Sequence, residues 1–165
     1  MKTINDLKNI KSLIIRGSQN SGKSTTIQEV CKQLNCSEVY KLNFNKKILK
    51  KSTVDEIFNG TYIIYIGKEV ILIIAGAPTE QKKSIRIILE LCIELQIEIS
   101  FVLSARRFAE RNDFNTTSEL KRFTTLLNTI KIEKISGDFR KSEEWQKRIK
   151  EIVTIIQNNL KGGVR

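Results

Sequence analysis

Eight residues near the start, Gly17-Ser18-Gln19-Asn20-Ser21-Gly22-Lys23-Ser24, constrain this chain more than any other feature. Leu13-Ile14-Ile15 precedes them, an apolar run too short for a helix and suited to a strand buried on both faces. After them Ile27, Val30, Cys31 and Leu34 recur at helical spacing, so a helix opens at Gly22 and ends near Asn35. Strand, glycine-bearing loop and helix follow one another without a gap.

Such a loop suits a phosphate chain, which needs many hydrogen-bond donors in a small concave space. Backbone N–H groups supply them only where small residues let the chain curl, here Gly17 and Gly22. The N–H groups from about Asn20 to Thr25 are expected to point inward, and the helix starting there adds partial positive charge. The Lys23 ammonium then bridges β- and γ-phosphate oxygens, and the Ser24 hydroxyl is the metal ligand, for Mg²⁺. The expected binding set is Gly17, Gln19, Asn20, Ser21, Gly22, Lys23, Ser24 and Thr25.

Through residues 13 to 34 the chain resembles the P-loop NTPase superfamily, with GSQNSGKS as its Walker A loop. The resemblance implies nucleotide binding, ATP first and GTP second, with Mg²⁺. Ile73-Ile74-Ala75-Gly76-Ala77 is similar to the D-x-A-G-Q segment of small GTPases, but Ile73 replaces its metal-associated Asp and Ala77 its water-orienting Gln. No N-K-x-D guanine-reading motif is present, so a regulatory GTPase-like module with weak or no turnover is an outlying alternative. Small P-loop kinases instead use arginines following a central strand, where Arg106, Arg107 and Arg111 stand. Lys23, Arg106 and Arg107 are thus the expected catalytic residues of an ATP-binding, kinase-like phosphoryl-transfer enzyme. No carboxylate declares itself; Glu38, Asp55, Glu56 and Glu80 are nominated by their place in expected loops.

Elsewhere the pattern predicts a strand over Glu38 to Leu42, a polar loop over Asn43 to Lys51 and a hairpin of Thr61 to Ile66 with Val70 to Ala75. A helix is expected from Thr79 or Glu80 to Leu95, a strand over Ile97 to Leu103, a helix over Ser118 to Leu127 and a strand over Ile130 to Ile135. Trp145, Ile149, Ile152, Val153, Ile156 and Leu160 share one face of a closing helix that starts at Ser142, and this stripe reads as core. The alternation implies an α/β, three-layer P-loop nucleotide-binding fold whose sheet is mostly parallel with one antiparallel hairpin strand.

With 165 residues and no repeat or Pro-rich linker, residues 1–165 are expected to form one domain. No apolar run reaches the ~18 to 20 residues of a membrane span, and Met1 to Ile10 lacks a signal peptide's apolar stretch, so a cytoplasmic protein is expected. Histidine is absent, which removes the commonest general base and every Ser-His or Cys-His nucleophile pair. Cys31, Cys36 and Cys92 match no metal spacing and read as free, mostly buried thiols. A net charge of +11 favours anionic partners: a nucleotide, nucleic acid or an acidic surface. Three basic clusters, Lys46-Lys47-Lys50-Lys51, Lys82-Lys83-Arg86 and Lys121-Arg122, would track a nucleic-acid backbone if they converged, which makes a nucleic-acid-associated ATPase the principal alternative.

Overall fold

A computed structural model describes residues 2–18, 21–111, 114–133 and 141–160. Its strands are β1 (Lys11–Arg16), β2 (Glu38–Asn43), β3 (Ile48–Ser52), β4 (Thr61–Ile66), β5 (Glu69–Ile74), β6 (Phe101–Arg106) and β7 (Thr125–Lys131). The helices are α1 (Lys23–Leu34), α2 (Pro78–Gln81), α3 (Ile85–Glu94), α4 (Thr116–Phe123) and α5 (Glu143–Asn158). All seven strands form one sheet in the order β3-β2-β4-β5-β6-β1-β7.

Period-two alternation divides the apolar residues between the sheet's two faces. Leu13, Ile15, Ile71, Ile73, Phe101 and Leu103 pack with Ile27, Val30 and Cys31 of α1 and with Ile149, Ile152 and Ile156 of α5. Ile14, Leu72, Ile74 and Val102 pack on the other face with Ile85, Ile88 and Leu89 of α3 and Leu120 and Phe123 of α4. Helices therefore cover both faces, and β1 has Leu13, Ile14 and Ile15 all fully buried, worth roughly 1.5–3 kcal/mol each.

The sheet is mixed rather than mostly parallel. β5, β6, β1 and β7 run parallel, whereas β3, β2 and β4 pair antiparallel to their neighbours. Much of the difference comes from Asn43 to Lys51, expected as a loop: Ile48–Ser52 is an edge strand, with Lys50 opposite Lys41 and Lys51 opposite Tyr40. An edge needs little apolar character and is blunted by lysine, so its residues carry no strand pattern.

Three more boundaries move. The helix expected from Thr79 or Glu80 to Leu95 is broken: Lys82 takes a left-handed φ of 57°, and Ser84 starts α3 by accepting the Ile87 N–H at 3.2 Å. The strand expected over Ile97 to Leu103 begins at Phe101 and runs to Arg106, because Ser104 and Ala105 are small residues buried in a central strand. The helix expected to Leu127 stops at Phe123, where Thr124 turns extended and shares a 2.7 Å hydroxyl hydrogen bond with Ser12; Thr125 already belongs to β7. Residues 134 and 135 of the expected last strand lie outside the described residues. The closing helix matches its expected start, with Ser142 accepting the Trp145 N–H. Among the described residues no helix is long and apolar enough to cross a membrane.

Candidate functional site

β1 leads to α1 on one face of the sheet, while its neighbour β6 leads to α4 on the other. Where adjacent parallel strands send their connections to opposite faces, a crevice opens at their carboxyl ends, and ligands of α/β sheets favour that place. The Gly17–Ser24 loop leaves β1 there, and Arg107 to Arg111 leave β6 beside it.

The loop's root is held from both sides. Gly17 N–H donates to the Arg106 carbonyl of β6 at 2.9 Å, and Ile132 N–H, just past β7, donates to the Arg16 carbonyl at 2.8 Å. A Cβ on Gly17 would stand 2.3 Å from Ser21 Oγ and 3.0 Å from the Ile132 side chain, so glycine is required there by space. Gly22 is required by conformation: its φ of 91° is left-handed, and it stands immediately before α1. No side chain caps α1 and no acid lies in its first turn, whereas Ser84, Asn115 and Ser142 cap α3, α4 and α5. The first N–H groups of α1 have no intrahelical acceptor, and Thr25 belongs to that first turn.

Lys23 is buried, not on a solvated loop surface, and its ammonium donates to the Ser18 carbonyl at 2.8 Å. Burial lowers its pKa from the ordinary lysine value, the Glu80 carboxylate partly opposes that, and the Arg107 guanidinium adds to the lowering. Glu80 is thus the carboxylate that acts on Lys23. Its Oε1 accepts the Ala77 N–H at 3.0 Å, capping the single turn of α2, and its Oε2 stands 3.9 Å from Arg107 Nε. Ser24 Oγ donates to the Ala75 carbonyl at 3.0 Å and lies 3.4 Å from the Asn59 side-chain oxygen. Three oxygens of the kind a hard cation prefers meet at that point, although among the described residues no group of three His, Cys, Asp or Glu is placed to hold a metal.

The two nominated arginines part company. Arg107 lines a cavity of about 380 Å³ with Ser18, Thr79, Phe108 and Arg111, and the Thr79 hydroxyl oxygen at that cavity is buried without a hydrogen-bond partner. Arg106 instead pairs with buried Glu110 at 3.0 Å and donates to Thr117 Oγ1 at 3.0 Å; Glu110 also accepts the Thr116 N–H and hydroxyl. Arg106 is a brace that ties the end of β6 to α4. Gln19 and Asn20 lie outside the described residues. Ile73, where a GTPase has its metal-associated Asp, is fully buried core.

Sequence reasoning named Glu80 among several acids without reason to prefer it. Pro78 at the first helical position with Glu80 two residues on is a helix-start signature that marks this carboxylate as fixed. Asn59 carried no signal at all. Comparison with family models, curated proteins and solved structures finds no match for this chain.

Proposed function

We propose that the chain is a P-loop nucleotide-binding protein that transfers the terminal phosphoryl group of a nucleoside triphosphate, in the manner of a small kinase-like enzyme. The observation that carries this reading is the meeting of Lys23, Glu80 and Arg107 beside an α1 start that no side chain caps. Bound Mg²⁺-nucleotide supplies the transferable group and part of the charge that offsets its leaving group.

On this reading the orphan N–H groups of α1 and the Lys23 ammonium hold the phosphate chain, and Ser24 Oγ, 3.4 Å from the Asn59 side-chain oxygen, would hold Mg²⁺. Arg107, a planar permanent cation, stabilises charge on the oxygens of the group in transfer. Glu80 Oε2 accepts the proton of the attacking hydroxyl, while Oε1 stays fixed on the Ala77 N–H. Isothermal titration with Mg-ATP and Mg-GTP tests the reading: heat with at least one nucleotide, lost in Lys23→Met, is expected. No heat with either, or equal binding by the variant, would sink it.

A second reading, a nucleic-acid-associated ATPase, draws support from two basic clusters that approach each other. Lys83 lies 5.7 Å from the centre of the Phe44 ring, which links the Lys82-Lys83-Arg86 cluster to the β2–β3 hairpin carrying the Lys46 to Lys51 cluster. Lys121 and Arg122 lie on α4, whose Glu119 carboxylate feels the Arg86 charge, and their backbone carbonyls accept from Lys8. A gel shift with single-stranded DNA at two salt concentrations decides the matter. Binding that weakens with salt is required, and no shift at low salt removes this reading.

A further inference from the structure

Ser21 of the Gly17–Ser24 loop and Trp145 of α5 line a cavity of about 310 Å³ near the end of β7, and this cavity belongs to the site already described. The opposite edge of the sheet is a separate surface. There β3 pairs with β2 alone, and the N–H and C=O groups on its outer side meet no partner among the described residues. Such a row is a template for a further strand. Ile48 on this strand is 48% exposed, and Lys50, two residues on, is exposed as well.

Lys46, Lys47, Lys50 and Lys51 all belong to this hairpin, and Lys50 stands directly opposite Lys41 of β2. Like charges placed directly opposite each other destabilise a sheet. Lys47 pairs with Glu94 at 3.5 Å and Lys51 with Glu38 at 3.9 Å, whereas Lys41, Lys46 and Lys50 meet no carboxylate among the described residues. Lys41 and Lys50 share a face of the sheet with Ile48, because alternate residues of a strand point the same way. That face offers an incoming strand an apolar side chain and a cation at two-residue spacing.

The lysines that blunt this edge also select what can lie along it. A second copy of the chain would set lysines against lysines, and a neutral strand would leave the repulsion between Lys41 and Lys50 in place. An acidic strand relieves it. A nucleic acid would answer the charge too, but it leaves the backbone row and Ile48 unused, and residues 46–52 include no aromatic ring on which a base could stack.

We propose that the β3 edge docks an acidic, extended segment of a partner protein, which joins the sheet with a carboxylate beside Lys50 and an apolar side chain, two residues away, beside Ile48. Main-chain hydrogen bonds supply affinity, and the alternating side chains supply specificity. This surface lies away from the Gly17–Ser24 loop and does not depend on what that loop binds.

The probe is a fluorescent peptide with blocked ends, made of two copies of Thr-Glu-Thr-Val, titrated with the full chain. Binding is expected below about 1 mM, weakening as salt is added, with slowed amide exchange over residues 48–52. Lys50→Glu, an exposed change that places opposite charges across β2 and β3, should spare the fold and weaken binding about tenfold or more. Methylating the peptide's backbone nitrogens at its Glu and Val positions, or separately at its Thr positions, is expected to abolish binding in one case and spare it in the other, since only one set faces β3. No binding overturns the proposal, as does binding that survives both methylations or leaves exchange over residues 48–52 unchanged. Single-stranded DNA that displaces the peptide at lower concentration than unlabelled peptide does would assign the surface to nucleic acid instead and overturn it as well.

Discussion

Arg107 Nε stands 3.9 Å from Glu80 Oε2, a cation from the end of β6 facing a carboxylate from the turn after β5. Because β5 and β6 are adjacent parallel strands, their carboxyl ends bring these two residues together although they stand 27 positions apart in the chain. In the proposed reaction this pair supplies the acid–base partner that no motif in the chain announces.

Glu80→Gln is expected to leave nucleotide binding within about threefold while lowering turnover by roughly 10²–10⁴-fold. The amide keeps an oxygen to accept the Ala77 N–H, so α2 retains its cap. Single-turnover phosphate release measures this; an unchanged rate would remove Glu80 from the chemistry.

Arg106 and Arg107 should respond in opposite ways. Arg106→Ala leaves buried Glu110 without its cation and is expected to cost about 3 kcal/mol of stability, with nucleotide affinity little changed at a temperature where the protein is folded. Arg107→Ala should leave the melting temperature almost unaltered and slow turnover. Thermal melts paired with rate measurements would expose a reversal of these roles.

Lys23 is expected to hold back stability at neutral pH. Its folded pKa lies below the unfolded value, so between the two the unfolded chain binds more protons, and wild-type stability rises with pH from that lowered value to about 10.5. Lys23→Met removes the buried charge, and the Ser18 carbonyl keeps the Ser21 N–H at 3.1 Å. The variant should therefore melt no lower than wild type at pH 7, with its relative standing declining as pH approaches 10. A melting temperature several degrees lower at pH 7 would contradict this.

Gly22→Ala forces a side chain into the left-handed region at a cost of about 1–2 kcal/mol. Gly17→Ala drives a methyl group onto Ser21 Oγ and displaces the loop itself. The second change is expected to weaken nucleotide binding more than its loss of stability suggests, as titration alongside denaturant unfolding would show.

Thiol chemistry should single out Cys36. Burial pushes the Cys92 thiol up to about 12 and Cys31 further, while half-buried Cys36 is raised less drastically. Ellman's reagent at pH 8 should modify Cys36 first and reach the other two only on unfolding; three equally fast thiols would contradict the packing. Since unfolding frees these thiols to ionise near their ordinary value of 9.0, their contribution to stability falls as pH rises above it.

Patterning revealed those parts of the molecule whose burial is regular. β1, α1, the β4–β5 hairpin and α5 each present a clear period, and Ser142 marks its helix as a capping residue should. β3 escaped because an edge strand with exposed Ile48, Lys50 and Lys51 has no buried face to impose alternation. The break at Lys82 escaped because a lysine gives no sign that it will adopt a left-handed backbone. At the site, Gly17, Gly22, Lys23 and Ser24 were legible because one local turn needs them together. Glu80, Asn59 and the cavity beside Trp145 depend on which strand ends become neighbours, and that is a property of the sheet order.

The hydrogen bonds that fix Gly17 to β6 and Ile132 to β1 make the loop's root a partition rather than a flap. Ser18 lines the chamber beside Arg107 and Ser21 the chamber beside α5, three positions apart in the chain. The two chambers nonetheless touch through side chains, because Lys131 in the wall of one lies 5.3 Å from the centre of the Phe108 ring in the wall of the other, so a substitution in either chamber is transmitted to its neighbour.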